Sequence, residues 1–249
     1  MKVLAFSGSP RMKKGATDLI LQHFMTGAEQ AGAETETVYV AEQNIKYCEG
    51  CFNCWVVHPG RCKHKDDMPK LLGKIRRADV VVYASPVYVD GVTAQVKTMM
   101  DRFITLAKPF IVQRDGHSRH PGHGKGTRNQ KQKMVLISTC GFGELDNFEP
   151  IILHMTAVAK NMGADFLGAL VRPMGPMLRV LEISAPDVLK SIYEGFRQGG
   201  YEAVSKGEIS EEAKKVASAP IVSMDDYVKL ANMYFKMEIE KNTKQKKAG

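Results

Sequence analysis

Two short segments carry the residues best suited to chemistry. The first runs Ser7-Gly8-Ser9-Pro10-Arg11 and continues through Gly15, Ala16 and Thr17, between an apolar run and a helical pattern. Backbone N–H groups at the start of a helix, together with its positive dipole end, favour a phosphate. Hydroxyls of Ser7, Ser9 and Thr17 add donors, and Arg11 suits a doubly charged monophosphate, while Lys13 and Lys14 remain in solvent. The segment has neither the Gly-Lys-Ser/Thr ending of a Walker A loop nor the Gly-x-Gly-x-x-Gly dinucleotide fingerprint. An ordinary Gly/Ser turn ahead of a helix shares its composition. The second segment holds Cys48, Cys51, Cys54 and Cys62 in a C-x2-C-x2-C-x7-C pattern. Four thiolates this compact suit a four-iron cluster. Zinc competes less well, even with His58 or His64 replacing a thiolate, because structural zinc draws its ligands as two separated pairs.

Other polar residues are less pointed. Asp66 and Asp67 stand before Pro69 and read as helix-capping residues rather than as a catalytic carboxylate pair. His117, His120 and His123 fall in a Gly-rich stretch and read as solvated. Cys140, apart from the other four cysteines, reads as a small packing residue. No Ser/His/Asp or metalloprotease motif accompanies them.

These segments need a scaffold, and a repeating strand-helix rhythm supplies it. Apolar runs at residues 2–6, 35–40, 79–84, 134–138 and 166–171 read as strands. Helical spacing recurs through Leu19, Ile20, Phe24 and Ala28, at 67–77, at 93–106 and from Ile151 to Met162. Parallel strands with right-handed crossovers imply an α/β doubly wound five-stranded sheet, which binds ligands at the carboxyl ends of its strands. That rule selects the loops after the first, third and fourth strands. Residues 108–132, rich in Gly, His, Lys and Arg, read as an insertion or mobile loop. From residue 173 the pattern turns helical, with segments at 187–204, 210–217 and 224–240. The expected organisation is therefore residues 1–172 as the sheet domain and 173–249 as a helical C-terminal extension.

Composition narrows the class. The 249 residues are 44% hydrophobic and 25% charged, with five cysteines and a formal net charge of +8. No apolar run approaches the ~20 residues that cross a bilayer, and the start of the chain is too short in apolar residues for a secretion signal. A cytoplasmic protein is expected, in which clustered cysteines mean metal or redox chemistry rather than disulfides. The charge suits an anionic ligand, but no nucleic-acid-binding signature accompanies it.

The phosphate-loop residues are joined by Ser85-Pro86-Val87-Tyr88 leading to Gly91, by Ala94-Gln95-Val96-Lys97 and by Asp101-Arg102-Phe103. In this combination residues 1–171 resemble the NADPH-dependent FMN reductase and flavodoxin-like superfamily. The resemblance implies a flavodoxin-like fold and bound FMN. It places Pro86, Val87, Tyr88 and Gly91 beside the isoalloxazine, and Thr139, Cys140, Gly141, Phe142 and Gly143 on its other side. The cysteine pattern is similar to that of the iron–sulfur flavoprotein family, although Trp55, Val56 and Val57 would equally let the segment pack as a cap over the flavin. The implied activity is an FMN-dependent NAD(P)H oxidoreductase. NAD(P)H would serve as co-substrate, and the acceptor would be a small molecule or a protein. The alternative is an iron–sulfur flavoprotein or electron carrier passing electrons between a 4Fe-4S cluster, FMN and a protein partner. Members often form homodimers or homotetramers.

Overall fold

The computed structural model describes residues 1–122 and 131–248. The elements in chain order are β1 (Lys2–Ser7), α1 (Ala16–Gln30), β2 (Glu34–Tyr39), α2 (Asn53–Val56), α3 (Met68–Arg77), β3 (Val80–Pro86) and α4 (Ala94–Asp101). They continue with β4 (Val112–Arg114), β5 (His117–Arg119), β6 (Lys133–Thr139), α5 (Glu149–Met162) and β7 (Asp165–Arg172). Four helices close the chain: α6 (Gly175–Ser184), α7 (Lys190–Ser205), α8 (Glu211–Ala217) and α9 (Met224–Ala248).

Five strands form one parallel sheet in the order β2-β1-β3-β6-β7. This is the flavodoxin-like doubly wound order. The unbroken apolar run Val80-Val81-Val82-Tyr83 makes β3 the central strand, buried along its whole length. At the edge, β2 alternates Thr and Glu and buries only Val38 fully. Side chains of alternate strand residues feed two cores. Val3, Ala5, Val80, Val82, Val135 and Ile137 meet Ile20, Leu21 and Phe24 of α1, together with Leu178, Ile192, Phe196 and Ala213 of the C-terminal helices. On the other face Leu4, Phe6, Val81, Tyr83 and Leu136 meet Leu71 and Ile75 of α3, Val96 and Met99 of α4, and Ile151 and Met155 of α5.

Several expected elements are revised. The helix expected at 93–106 stops at Asp101 and tightens into a 3-10 turn, Arg102–Leu106, where Thr105 donates its hydroxyl to the Arg102 carbonyl at 3.0 Å. The 108–132 insertion is not structureless throughout. Residues 112–119 form the β4–β5 hairpin around Asp115 and Gly116, both at positive φ, and an Asp-Gly pair is the strong signal for that turn. Arg114 fastens the hairpin to α5 through the Lys160 and Asn161 carbonyls at 2.8 and 2.9 Å. Residues 123–130, His123 among them, lie outside the described residues. Helix α6 was not foreseen, although Pro176 in its first turn is a helix-start signal. The last helix runs past the expected residue 240.

The C-terminal helices belong to the packing of the sheet. Helix α7 lies against α1 at backbone distance, because both contribute a glycine to the crossing. A Cβ at Gly27 would overlap the Arg197 carbonyl, and one at Gly200 would overlap the Phe24 carbonyl. Gly200→Ala should therefore destabilise the protein by about 3 kcal/mol, the overpacking cost exceeding the gain of about 1 kcal/mol in helix propensity. At Gly73 in α3 the nearest atom to an added Cβ is the flexible Arg77 guanidinium at 3.6 Å. Gly73→Ala should stabilise by about 0.5–1 kcal/mol. Urea denaturation of the two variants beside the wild type checks both signs.

Candidate functional site

The parallel register brings the loops after β1, β3 and β6 to one edge. Ser7 pairs with Ala84, and Pro86 pairs with Thr139, so β3 and β6 end level and β1 ends two residues short of them. Gly8 extends the ladder by one rung, its N–H donating to the Ala84 carbonyl at 2.7 Å. A Cβ there would overlap Val96. Thr93 donates its hydroxyl to the Gly8 carbonyl at 2.8 Å and its N–H to the Ser85 hydroxyl at 3.0 Å, while Ser138 donates to the Ser85 carbonyl at 2.8 Å. The Thr17 and Thr139 hydroxyls pair at 2.7 Å, joining the first loop to the third.

Where the loops meet there is a cavity of about 490 Å³. Ser9, Arg11, Ala16 and Thr17 line one part, and Pro86, Val87, Tyr88, Thr139, Cys140 and Gly141 line the rest. Three residues expected at the site, Ser7, Gly91 and Gly143, are not among those lining it. The Ser7 hydroxyl is buried without a hydrogen-bond partner. Gly91 closes a tight turn by exchanging backbone hydrogen bonds with Tyr88 at 3.0 and 3.2 Å. Gly143 is packed by the Met224 and Met174 side chains. The cavity also takes in Val89, Asp90, Phe142, Asn147, Gly175 and Pro176. Val89, Asp90 and Phe142 sit within the loop segments already singled out. Gly175 and Pro176 come from α6, and their signal was the unread Gly-Pro helix start.

One end of the cavity is polar and donor-rich. Helix α1 begins at Gly15 without a side-chain cap, which leaves its first N–H groups for a ligand. The loop folds on itself through Met12 N–H to the Ser9 carbonyl at 3.0 Å and Gly15 N–H to the Met12 carbonyl at 2.9 Å. Arg179 of α6 braces it from outside, donating to the Lys13 and Gly15 carbonyls at 2.5 and 3.0 Å. Beneath the loop, burial raises the Asp18 pKa, and burial and the Asp18 carboxylate push Tyr39 up to about 12. The other end is apolar and partly open. Tyr88 is 49% exposed and Phe142 is 65% exposed, while Cys140 is buried. Val89 and Asp90 both hold positive φ, +47° and +61°, a strained turn for non-glycine residues at the mouth of the cavity. Tyr227 of α9 donates its hydroxyl to the Gly141 carbonyl. Uncapped N–H groups, hydroxyls and Arg11 at one end and an apolar wall at the other fit the phosphate and ring of a flavin mononucleotide.

The four cysteines line a second, small cavity with His64, Arg102, Ile104 and Thr105. Among the described residues no three His, Cys, Asp or Glu side chains stand close enough to share one metal ion, so the positions of the thiols favour neither zinc nor a cluster, and only their number and kind bear on the choice. In a four-iron cluster each thiolate binds a different iron, and a ring of thiols around a cavity matches that donor set. Hydrogen bonds from Asn53, including its side-chain N–H at 3.4 Å, lower the Cys51 pKa, whereas burial pushes Cys54 up. The Trp55 indole N–H donates to the Ile104 carbonyl at 3.0 Å, and its ring stacks on Phe52 and meets His120.

Asp66 and Asp67 differ from their helix-capping expectation. Asp67 stands at the N-cap of α3 but makes no side-chain cap bond, and its carboxylate accepts the Asn44 N–H at 2.7 Å. Asp66 does accept the Met68 N–H at 3.2 Å. Its main partner is Arg102, at 2.6 Å, with side chains 0% and 1% exposed. Burial works to raise the Asp66 pKa, but Arg102 and two backbone N–H groups outweigh it and hold the carboxyl below its usual range. His120 pairs through Nδ1 with the Phe110 carbonyl at 2.9 Å.

Comparison with known proteins agrees with this geometry. The sequence profile described as NADPH-dependent FMN reductase matches residues 1–144. An iron–sulfur flavoprotein of Methanocaldococcus jannaschii is 39% identical over 102 residues, which are 41% of this chain and 51% of that protein. The chain thus spans about half the length of the first curated relatives it matches. A second iron–sulfur flavoprotein of that organism is 32% identical over 169 residues, covering 67% of this chain and 81% of that one. An FMN-dependent NADH-azoreductase from Bacillus anthracis, solved in complex with FMN, shares the fold with a TM-score of 0.59 at 13% identity, over 82% of this chain and 99% of its own. The matched profile covers more than half of the chain, so the protein, flavodoxin-like in fold, belongs to the NADPH-dependent FMN reductase family and is related to the iron–sulfur flavoproteins.

Proposed function

We propose that this protein is an FMN-dependent oxidoreductase in which electrons pass between FMN, held in the larger cavity, and a four-iron cluster held by Cys48, Cys51, Cys54 and Cys62. The observation that carries this reading is the pair of cavities. One has a phosphate end and an apolar end, and the other is ringed by four thiols. Bound FMN supplies one- and two-electron chemistry, and a four-iron cluster supplies one-electron transfer. The protein's own residues bind and orient. Ser9, Thr17 and the first turn of α1 donate to the phosphate, Arg11 neutralises it, and Pro86, Val87, Tyr88 and Thr139 to Gly141 flank the ring. The names of the relatives support the cluster.

A second reading takes NAD(P)H as the electron donor. The exposed Tyr88, Val89 and Phe142 at the mouth of the cavity support it, since they leave room for a nicotinamide against the flavin. The final acceptor would be a small molecule or a protein. No described helix is long and apolar enough to cross a membrane. Self-association, as a homodimer or homotetramer, is supported by α9. Asp225, Lys229, Asn232, Lys236 and Glu240 make one polar stripe along it, and Val228, Met233, Tyr234, Phe235, Met237 and Ile239 are exposed around the rest.

Protein purified without oxygen should show flavin absorption and about four irons and four acid-labile sulfides per chain. Adding NADH or NADPH anaerobically should bleach the flavin band if the second reading is right. Flavin without iron would leave the cysteines as a packed cap, and no flavin after reconstitution would remove the whole reading. Arg11→Ala should weaken FMN binding about 10- to 100-fold, as loss of a charged hydrogen bond to phosphate does, with little change in apoprotein stability. Flavin-fluorescence titration measures this. Replacing Phe235 and Ile239 together by glutamate should reduce the assembly to monomers in sedimentation velocity.

A further inference from the structure

The buried Arg102 has no part in the flavin cavity, yet it forms part of the wall of the cysteine cavity. It follows α4 directly and opens the 3-10 turn whose Ile104 and Thr105 complete that wall. Its Nη1 donates to the Lys46 carbonyl and to Asp66 Oδ2, both at 2.6 Å, and Nη2 reaches Asp66 Oδ1 at 3.4 Å. Asp66 Oδ2 in turn accepts the Lys46 N–H at 3.1 Å. One guanidinium therefore ties the residue before the cysteine segment to the residue after it, and closes the loop that carries all four thiols. Its Nε is buried with no hydrogen-bond partner, and the Cys62 thiol lies close enough to interact with the guanidinium.

From this placement we infer that Arg102 positions the cysteine ring and sets the reduction potential of the cluster it holds. The inference rests on the cluster reading given above. A four-iron cluster on four thiolates is anionic and becomes more so on gaining an electron. A buried cation against one ligand favours the reduced form, because a medium of low dielectric screens their interaction weakly. Asp66 meets the guanidinium at Nη1 and Nη2 and leaves the buried Nε–H unspent, so its charge offsets the effect only in part.

The test is anaerobic redox titration of the reconstituted protein, read by the electron paramagnetic resonance of the reduced cluster, with iron and FMN content measured on the same samples. Arg102→Lys keeps the charge and Arg102→Gln removes it. The double variant Arg102→Gln with Asp66→Asn removes both charges together, and serves if the single change leaves the protein without FMN, which marks a failure to fold. In the charge-free variant that retains FMN, the ratio of reduced to oxidised cluster at a fixed potential should fall at least tenfold, a shift of about 59 mV for one electron. Arg102→Lys should stay within about threefold of the wild type, about half of that shift. Loss of iron with FMN retained in the charge-free variant would equally support the positioning role. A full complement of iron at the wild-type potential in that variant overturns the role of Arg102 and leaves the cluster standing. A wild type that takes up no iron overturns both.

Discussion

The parallel ladder between β1, β3, β6 and β7 is the constraint on which the larger site depends. Its register sets Ser7 beside Ala84, Pro86 beside Thr139, and Thr139 beside Arg172, so that β3, β6 and β7 end together and β1 within two residues of them. A slip of one residue would turn every buried valine of β3 to the opposite face, and two separate cores fix the register against it. With the ends this close, three loops that are distant in sequence share hydrogen bonds, such as the Thr17–Thr139 hydroxyl pair and the Thr93–Gly8 contact. The cavity is thus a consequence of strand register, and its polar residues need no long-range search to find one another.

The helices beyond β7 complete that edge. Arg172, fully buried at the end of β7, donates to the carbonyls of Pro173, Ala217 and Ala219 at 2.8, 3.0 and 2.7 Å, and burial brings its pKa down to about 10. Arg179 holds the carbonyls of the phosphate loop in the same manner, one helix further on. Arg172 through Nε and Nη1, and Arg179 through Nη2 while its Nη1 meets the Glu182 carboxylate, donate to backbone oxygens of segments that lack regular partners, which is how an irregular chain stays ordered beside a sheet. A loop braced in this way is ordered before any ligand arrives, and preorganisation of this kind lowers the entropy lost on binding.

Much of this was legible in the residues. The Val80–Tyr83 run identified the central strand, Ser9 and Arg11 of the first loop lie on the wall of the larger cavity, and all five strands lie within a residue or two of where alternation and apolar runs place them. What escaped is instructive in physical terms. Asp115-Gly116 is a hairpin signal, but the arginines and histidines around it mask the short strands, since so exposed a hairpin has no apolar alternation to read. Gly175 and Pro176 reach the cavity because α6 folds back over the sheet edge, a tertiary fact with no local periodicity. Gly143 and Ser7 stand in the same loop segments as lining residues without lining the cavity themselves, a distinction that motif reading does not resolve. Asp66 looked like a cap because its partner lies 36 residues away.

That long-range pair shows why the two cavities are ordered differently. The flavin edge inherits its geometry from repeated backbone rungs, whereas the cysteine segment, apart from the short α2, has no sheet or long helix to hold it. Its shape rests on a few strong contacts: the Arg102–Asp66 pair, the Asn44–Asp67 backbone and carboxylate bonds, and the Trp55 indole on the Ile104 carbonyl. Breaking a buried ion pair by removing one partner costs about 3–5 kcal/mol, because the other charge is left desolvated. Since the clasp lies across the roots of the loop, such a loss falls first on the cysteine cavity.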